Sequence, residues 1–209
     1  MRGVKKENLP QKICVTCGKP IVWRKKVGKS LGRGQILFEE MQTEQNPLIL
    51  TLRLDEKSQA FFNKMRKRHF PPGRNFLKAH LTLFHRLPSE VVTREYFRSL
   101  QCRTFAMKVT GLRHLGAGVA YEIDSGELQE FHRKLSQYFH KVLIPQDRQP
   151  FKPHITIQNK VTPAASKDLL TELMGNFKPF TVTATGLDLW EYLGGPWRHS
   201  SSYDFLNEQ

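Results

Sequence analysis

Two short tracts of this sequence carry residues that can move protons beside a phosphate. His80-Leu81-Thr82-Leu83 returns as His154-Ile155-Thr156-Ile157, 74 residues later. In an extended strand the side chains at i and i+2 share a face. His80 and Thr82 therefore point together, as do His154 and Thr156, while Leu81, Leu83, Ile155 and Ile157 point into a core. A polar pair on one face of an apolar strand costs free energy unless it is solvated or paired. If the two strands face each other, both pairs converge in one cleft. There a neutral imidazole can take a proton from an attacking water or hydroxyl, and a protonated one can give a proton to a departing alkoxide. The Thr hydroxyls can hydrogen-bond the non-bridging phosphate oxygens as negative charge builds. A lone strand histidine is more often structural or simply exposed. Two copies in the same His-x-Thr frame are what point to phosphodiester chemistry. A metal site needs three or four ligands, and no Asp, Glu or Cys accompanies either tract at a fixed spacing. Neither a metal nor a cofactor is expected.

The elements that must position these residues follow from periodicity and turn chemistry. Alternation predicts strands over 47–54, 79–85, 105–112, 119–124, 153–158, 180–193 and 197–205. Helices are expected over 55–70, stopped by Pro71-Pro72-Gly73, over 88–100, from the Ser125 cap to about Val142, and from the Thr162-Pro163 start to Gly175. Gly116-Ala117-Gly118 and Gly194-Gly195 mark two hairpins. Thr110-Gly111-Leu112 also returns, as Thr185-Gly186-Leu187, 75 residues on. Two landmarks at nearly one offset, with strands and helices in the same order, imply an internal duplication: two β-α-β-α-β-like lobes related by a pseudo-twofold axis.

The chain has 209 residues, 39% hydrophobic and 25% charged, with 14 Phe, five Tyr and three Trp. That composition suits a globular core and excludes wholesale disorder. No apolar run approaches the roughly 20 residues that span a bilayer, and the basic N-terminus is not followed by the apolar stretch of a secretory signal. Three Cys cannot make a disulfide framework, so a reducing, cytoplasmic setting is expected. The net charge of +14 favours a polyanionic partner such as nucleic acid. Residues 1–40 carry 10 Lys/Arg against 3 Asp/Glu, and residues 41–209 carry 23 against 16, so each part contributes +7.

The head, residues 1–40, has little apolar periodicity and is expected to be disordered. Its one feature is Cys14-Val15-Thr16-Cys17-Gly18, half of a zinc knuckle that lacks the other two ligands. Residues 3–26, through Trp23-Arg24-Lys25-Lys26, resemble the opening of a family of very small bacterial zinc-knuckle proteins in which a second Cys pair follows. That pair is missing here. The expected organisation is an accessory head, a truncated or fused remnant or an over-long start, before a working domain of 41–209.

The paired His80-Leu-Thr82-Leu and His154-Ile-Thr156-Ile resemble the two signature motifs of the 2H phosphoesterase superfamily. Within it the chain is similar to the bacterial 2′-5′ RNA ligase and cyclic phosphodiesterase branch, from about Asn46 to Phe205, through Phe151-Lys-Pro-His154 and Gly194-Gly195-Pro196-Trp197. The resemblance implies an α+β, bilobal fold with two antiparallel sheets lining a central cleft. It implies metal-independent opening of 2′,3′-cyclic phosphates, on RNA ends or nucleotides, to 2′-phosphates, or joining of RNA ends through a 2′-5′ linkage. It makes His80 the general acid and His154 the general base, with Thr82 and Thr156 on the phosphate, although near-symmetry permits either assignment. Some members carry an Arg soon after the second motif; here Gln158-Asn159-Lys160 stands there, and Lys160 could serve only as a point charge. Arg148, Lys152 and Phe151 are further candidates for binding substrate. His85 is expected at the cleft rim with a structural role, and Lys64–Arg68 as a solvated helix face or a landing patch for RNA. A non-catalytic module that binds RNA ends is the rival reading. A monomer without membrane contacts is expected.

Overall fold

The computed structural model describes residues 46–207, together with 11–13 and 20–22. The chain divides into two compact units, residues 1–44 and 45–209. In the first, β1 (Gln11–Ile13) and β2 (Pro20–Val22) pair antiparallel, with Gln11 opposite Val22. Cys14 and Cys17, and the rest of the expected disordered head, lie outside the described residues.

The second unit runs β3 (Leu48–Leu54), α1 (Glu56–His69), β4 (Leu81–Leu87), α2 (Val91–Ser99), β5 (Phe105–His114), β6 (Val119–Asp124), α3 (Gly126–Tyr138), β7 (His154–Gln158), α4 (Pro163–Gly175), β8 (Phe180–Tyr192) and β9 (Trp197–Asp204). This is β-α-β-α-β twice, with β9 added. The caps are those the sequence spells out: Asp55, Ser125 and Thr162 each accept a backbone N–H three residues on, satisfying donors the first helical turn leaves open. Helix α3 stops short of Val142. Its chain closes instead into turns (Val142 N–H to the Phe139 carbonyl) ahead of Pro145, which disfavours helix in the residue before it.

All strand pairs of this unit are antiparallel, in the order β4-β3-β8-β5-β6-β7, with β9 on β8. Exchanging the two copies (β3 with β6, β4 with β7, β5 with β8) leaves that order unchanged, which is the pseudo-twofold the repeat implies. Each half takes its third strand from the other copy. The two expected sheets are thus the halves of one seven-stranded sheet, continuous where the start of β8 pairs with β5 from Val109↔Phe180 to Phe105↔Ala184. The sheet curls until its two end strands, β4 and β7, come into contact without pairing. Leu81, Leu83, Ile155 and Ile157 are at most 2% exposed, on the core side as the alternation requires. Gly118 permits the close approach of the hairpin to β7: a Cβ there would stand 2.0 Å from the Gln158 carbonyl oxygen. No helix among the described residues is long and apolar enough to cross a membrane.

One expectation for α1 fails. Lys64, Lys67 and Arg68 are exposed, but Arg66 is buried, 6% exposed. It shares one face with Ser58 and Phe62 at four-residue spacing. Its Nε donates to Asn75 Oδ1 (2.9 Å) and to the Leu77 carbonyl (3.0 Å), and its Nη1 donates to the Thr156 carbonyl (2.9 Å). Its guanidinium also lies 3.9 Å over the Phe70 ring. Arg66 is therefore a clamp that ties the loop entering β4 to the backbone of β7, and not a landing patch. Burial lowers its pKa to about 10, which leaves it charged at neutral pH. Truncation would orphan the part-buried carbonyls of Leu77 and Thr156, each at up to about 1–3 kcal/mol. Arg66→Ala is expected to lower unfolding stability by on the order of 3 kcal/mol, with Arg66→Lys recovering only part. Urea denaturation measures both, and a wild-type midpoint for Arg66→Ala would contradict the clamp.

Candidate functional site

The contact between the two end strands leaves a cleft of about 460 Å³. His80, Thr82, His154 and Thr156 all line it, with His85, Arg113, Phe151, Lys152, Asn159 and Trp197 among the other walls. The convergence predicted from two i, i+2 pairs is thus realised by the curling of one sheet. His80 stands one residue before β4, and His154 is the first residue of β7.

The two imidazoles are held alike. Nδ1 of His80 lies 2.8 Å from the Lys78 carbonyl, and Nδ1 of His154 lies 2.8 Å from the Lys152 carbonyl. A carbonyl only accepts, so the bond to Lys78 puts the proton of His80 on Nδ1 and leaves its lone pair on Nε2. At His154 the Lys152 carbonyl and the donating Arg113 Nη2, 2.9 Å away, compete for Nδ1, and the bond to the carbonyl is the one that leaves Nε2 as the free lone pair. Burial is the largest influence on both and disfavours the imidazolium. His80 is lowered to about 4 by burial, opposed by its bond to Lys78 and reinforced by the charges of Arg66, His154 and His85. His154 is also lowered, by burial first, then against its bond to Lys152 by the nearby Arg113.

Arg113 makes the two halves unlike. It follows the first Thr-Gly-Leu, where the second copy has Asp188. Its Nη2 stands 2.9 Å from His154 Nδ1, and its Nε is 3.9 Å from Glu122. A guanidinium therefore does reach the cleft, from β5 and not from the segment after the second motif. The repeat offered the signal for it: a position where the copies differ in charge beside a landmark that they share.

The aromatic walls are layered. His132 of α3 is stacked between Phe84 (4.7 Å between ring centroids) and Phe151 (3.8 Å). Its Nε2 donates to the Leu83 carbonyl at 3.1 Å, and burial lowers its pKa. Phe151 thus forms the cleft-side end of a rigid stack. Trp197 packs on His80 at 4.8 Å. Lys152 and Phe151 join the four motif residues in the lining. Arg148 faces a neighbouring hollow, and Lys160 is exposed past the end of β7 with φ of 60°.

A family model described as the 2′-5′ RNA ligase superfamily matches residues 54–196, which hold both motifs. A second, described as an uncharacterized protein conserved in bacteria (DUF2256), matches residues 5–30, the stretch containing Cys14 and Cys17. No curated protein matches the chain. Among solved structures, TT0787 of Thermus thermophilus is similar at 15% identity and TM-score 0.55, over 78% of this chain and 100% of that one. A structure titled as a phosphoesterase is similar at 16% identity and TM-score 0.53, over 78% and 99%. E. coli LigT complexed with 3′-AMP is similar at 16% identity and TM-score 0.53, over 77% and 98%. At such identities the likeness is one of fold.

The lowered histidine pKa has a consequence for stability. A ring whose folded pKa lies below its unfolded value of about 6.5 binds fewer protons folded than unfolded between the two. Stability therefore rises with pH across that window and is lost as pH falls from about 6.5 towards 4. His80→Gln is expected to flatten this slope. Urea midpoints of wild type and variant at four pH values between 4.5 and 7.5 measure it, and identical slopes would contradict the burial of a neutral His80.

Proposed function

The chain belongs to the 2′-5′ RNA ligase superfamily, and from that premise we propose that it opens 2′,3′-cyclic phosphates, on RNA ends or nucleotides, to 2′-phosphates by a metal-independent two-histidine reaction. Membership supports phosphoesterase or 2′-5′ ligase activity in general. The observation that carries the finer reading is the shared setting of His80 and His154: Nδ1 bonded to a backbone carbonyl in both, and both rings in one cleft with Thr82 and Thr156. The 3′-AMP complex of LigT, a protein of similar fold, adds a nucleotide ligand to that support.

In this reading the phosphate lies between the two rings. His154 Nε2 takes a proton from water as the water oxygen attacks phosphorus. The bond from phosphorus to O3′ breaks, and His80 Nε2–H gives its proton to O3′. The product carries a 2′-phosphate and a 3′-hydroxyl, and proton exchange with solvent restores both rings. Both rings have cations that oppose a second proton, Arg113 and His85 at His154 and Arg66 and His85 at His80, so the assignment of His154 as base and His80 as acid rests on the resemblance of the two motifs to those of the family. Burial disfavours a charged His80, and the phosphate monoanion supplies the charge that favours an imidazolium next to it. Thr82 and Thr156 donate to the non-bridging oxygens. With a 5′-hydroxyl in place of water, the same steps join two RNA ends through a 2′-5′ linkage, the second reading that the family description favours. A module that only binds ends does not need an acid and a base.

Incubating the full chain with 2′,3′-cyclic AMP, with and without EDTA, and following the product by phosphorus NMR tests this. Turnover to 2′-AMP in both conditions is expected. His80→Ala and His154→Ala should each slow it by about 100–10,000-fold while leaving the fold intact. Full activity in either variant would defeat the assignment.

A further inference from the structure

A third imidazole enters the cleft, and its setting is built rather than incidental. By strict alternation from Thr82, His85 would point away from the cleft. The ladder between β3 and β4 instead carries two irregularities. Thr51 pairs with Thr82 and Leu50 with Phe84, so one step on β3 faces two on β4; Leu48 then pairs with Leu87, so the next two steps face three. A bulge re-aims the side chains beyond it. The first buries Phe84 completely next to the buried Leu83, and His85 beyond it lines the cleft.

The turns after α3 place Asp147 against this irregular stretch. Its side chain is 1% exposed. It accepts from the backbone N–H of His85 (3.0 Å to each oxygen), from the backbone N–H of Arg86 (3.0 Å), and from His85 Nδ1 (2.8 Å). Covering the open backbone donors of an edge strand requires only the first two. The bond to the ring does something more: it fixes the ring plane and leaves Nε2 as its only nitrogen free to meet a ligand. The His85 side chain is 48% exposed and shares its cleft with His80, Thr82, His154 and Thr156.

We propose that His85 is a substrate-binding residue, its Nε2–H donating to a non-bridging oxygen of the bound phosphate while Asp147 holds Nδ1. In that state the ring carries a proton on each nitrogen, and the Asp147 carboxylate balances its charge. The proposal rests on the reading of the cleft as a phosphate site. It assigns His85 to binding, so the two motif histidines keep the proton transfers.

Asparagine separates binding from scaffolding. The amide nitrogen of His85→Asn can occupy the place of Nδ1 and keep the bond to Asp147, but nothing replaces Nε2. Titration calorimetry of the full chain with 2′-AMP, and with adenosine as the phosphate-free probe, reads binding without turnover. Both His85→Asn and His85→Ala are expected to weaken 2′-AMP by about tenfold or more and to leave adenosine unchanged, with His85→Asn unfolding at the wild-type urea midpoint. Wild-type affinity in His85→Asn would overturn the proposal and leave His85 as scaffolding. So would an equal loss for adenosine, since the contact would then not be to phosphate. Because no turnover is read, this assignment can fail while the two-histidine reaction stands, and the reaction can fail while wild-type 2′-AMP binding still tests His85.

Discussion

The cleft exists because the two open edges of one curled sheet are held close together without being allowed to pair. Unpaired edges invite new hydrogen bonds, and proteins must occupy or cover them. Here buried polar side chains do so, and they reach across the pseudo-twofold. Arg66 of the first copy donates to the Thr156 carbonyl on β7, and His132 of the second copy donates to the Leu83 carbonyl on β4. Asp147, also from the second copy, takes the N–H groups of His85 and Arg86. Each motif strand is thus positioned by the other copy, as each half-sheet takes its third strand from the other copy. The separation of the two imidazoles is a property of the whole unit.

That arrangement explains why the site is symmetric in its backbone and asymmetric in its electrostatics. The same carbonyl bond orients both imidazoles, since Lys78 and Lys152 occupy equivalent places before the two histidines. The surroundings then diverge. Arg113 stands beside His154, where the other copy has Asp188, and Asp188 is turned to Arg53 at 3.7 Å and His199 at 3.8 Å. An acid and a base need different environments to hold different protonation states at one pH. A duplicated fold supplies two like rings, and substitution around them gives them unlike neighbours, Arg113 at His154 and Trp197 at His80.

Much of this was legible in the sequence, for physical reasons that differ by feature. Strand alternation and the shared 74–75 residue offset gave the duplication and the convergence of four residues, because side-chain direction in a strand has a fixed period. Caps at Asp55, Ser125 and Thr162 were legible because capping is local. Arg66 was hidden in a basic run whose other members are solvated; its four-residue spacing from Phe62 was the available signal. Arg113 and Asp147 could not be placed, since their partners lie 41 and 62 residues away and depend on strand register. The bulge that turns His85 into the cleft breaks the period on which the reading relied. The charge of +14 proved a weaker guide than the motifs, with half of it in residues 1–40 and one of the remaining cations buried as a structural clamp.

The central claim is that His80 and His154 act on one phosphate as a single unit. A double-mutant cycle on cyclic-phosphate turnover tests this most directly, comparing kcat/KM for His80→Ala, His154→Ala and the double variant. Residues that act as a unit are strongly non-additive. The account predicts that the double variant is no more than a few-fold slower than the slower single variant. Losses that multiply would mean the two rings act independently, and would contradict it.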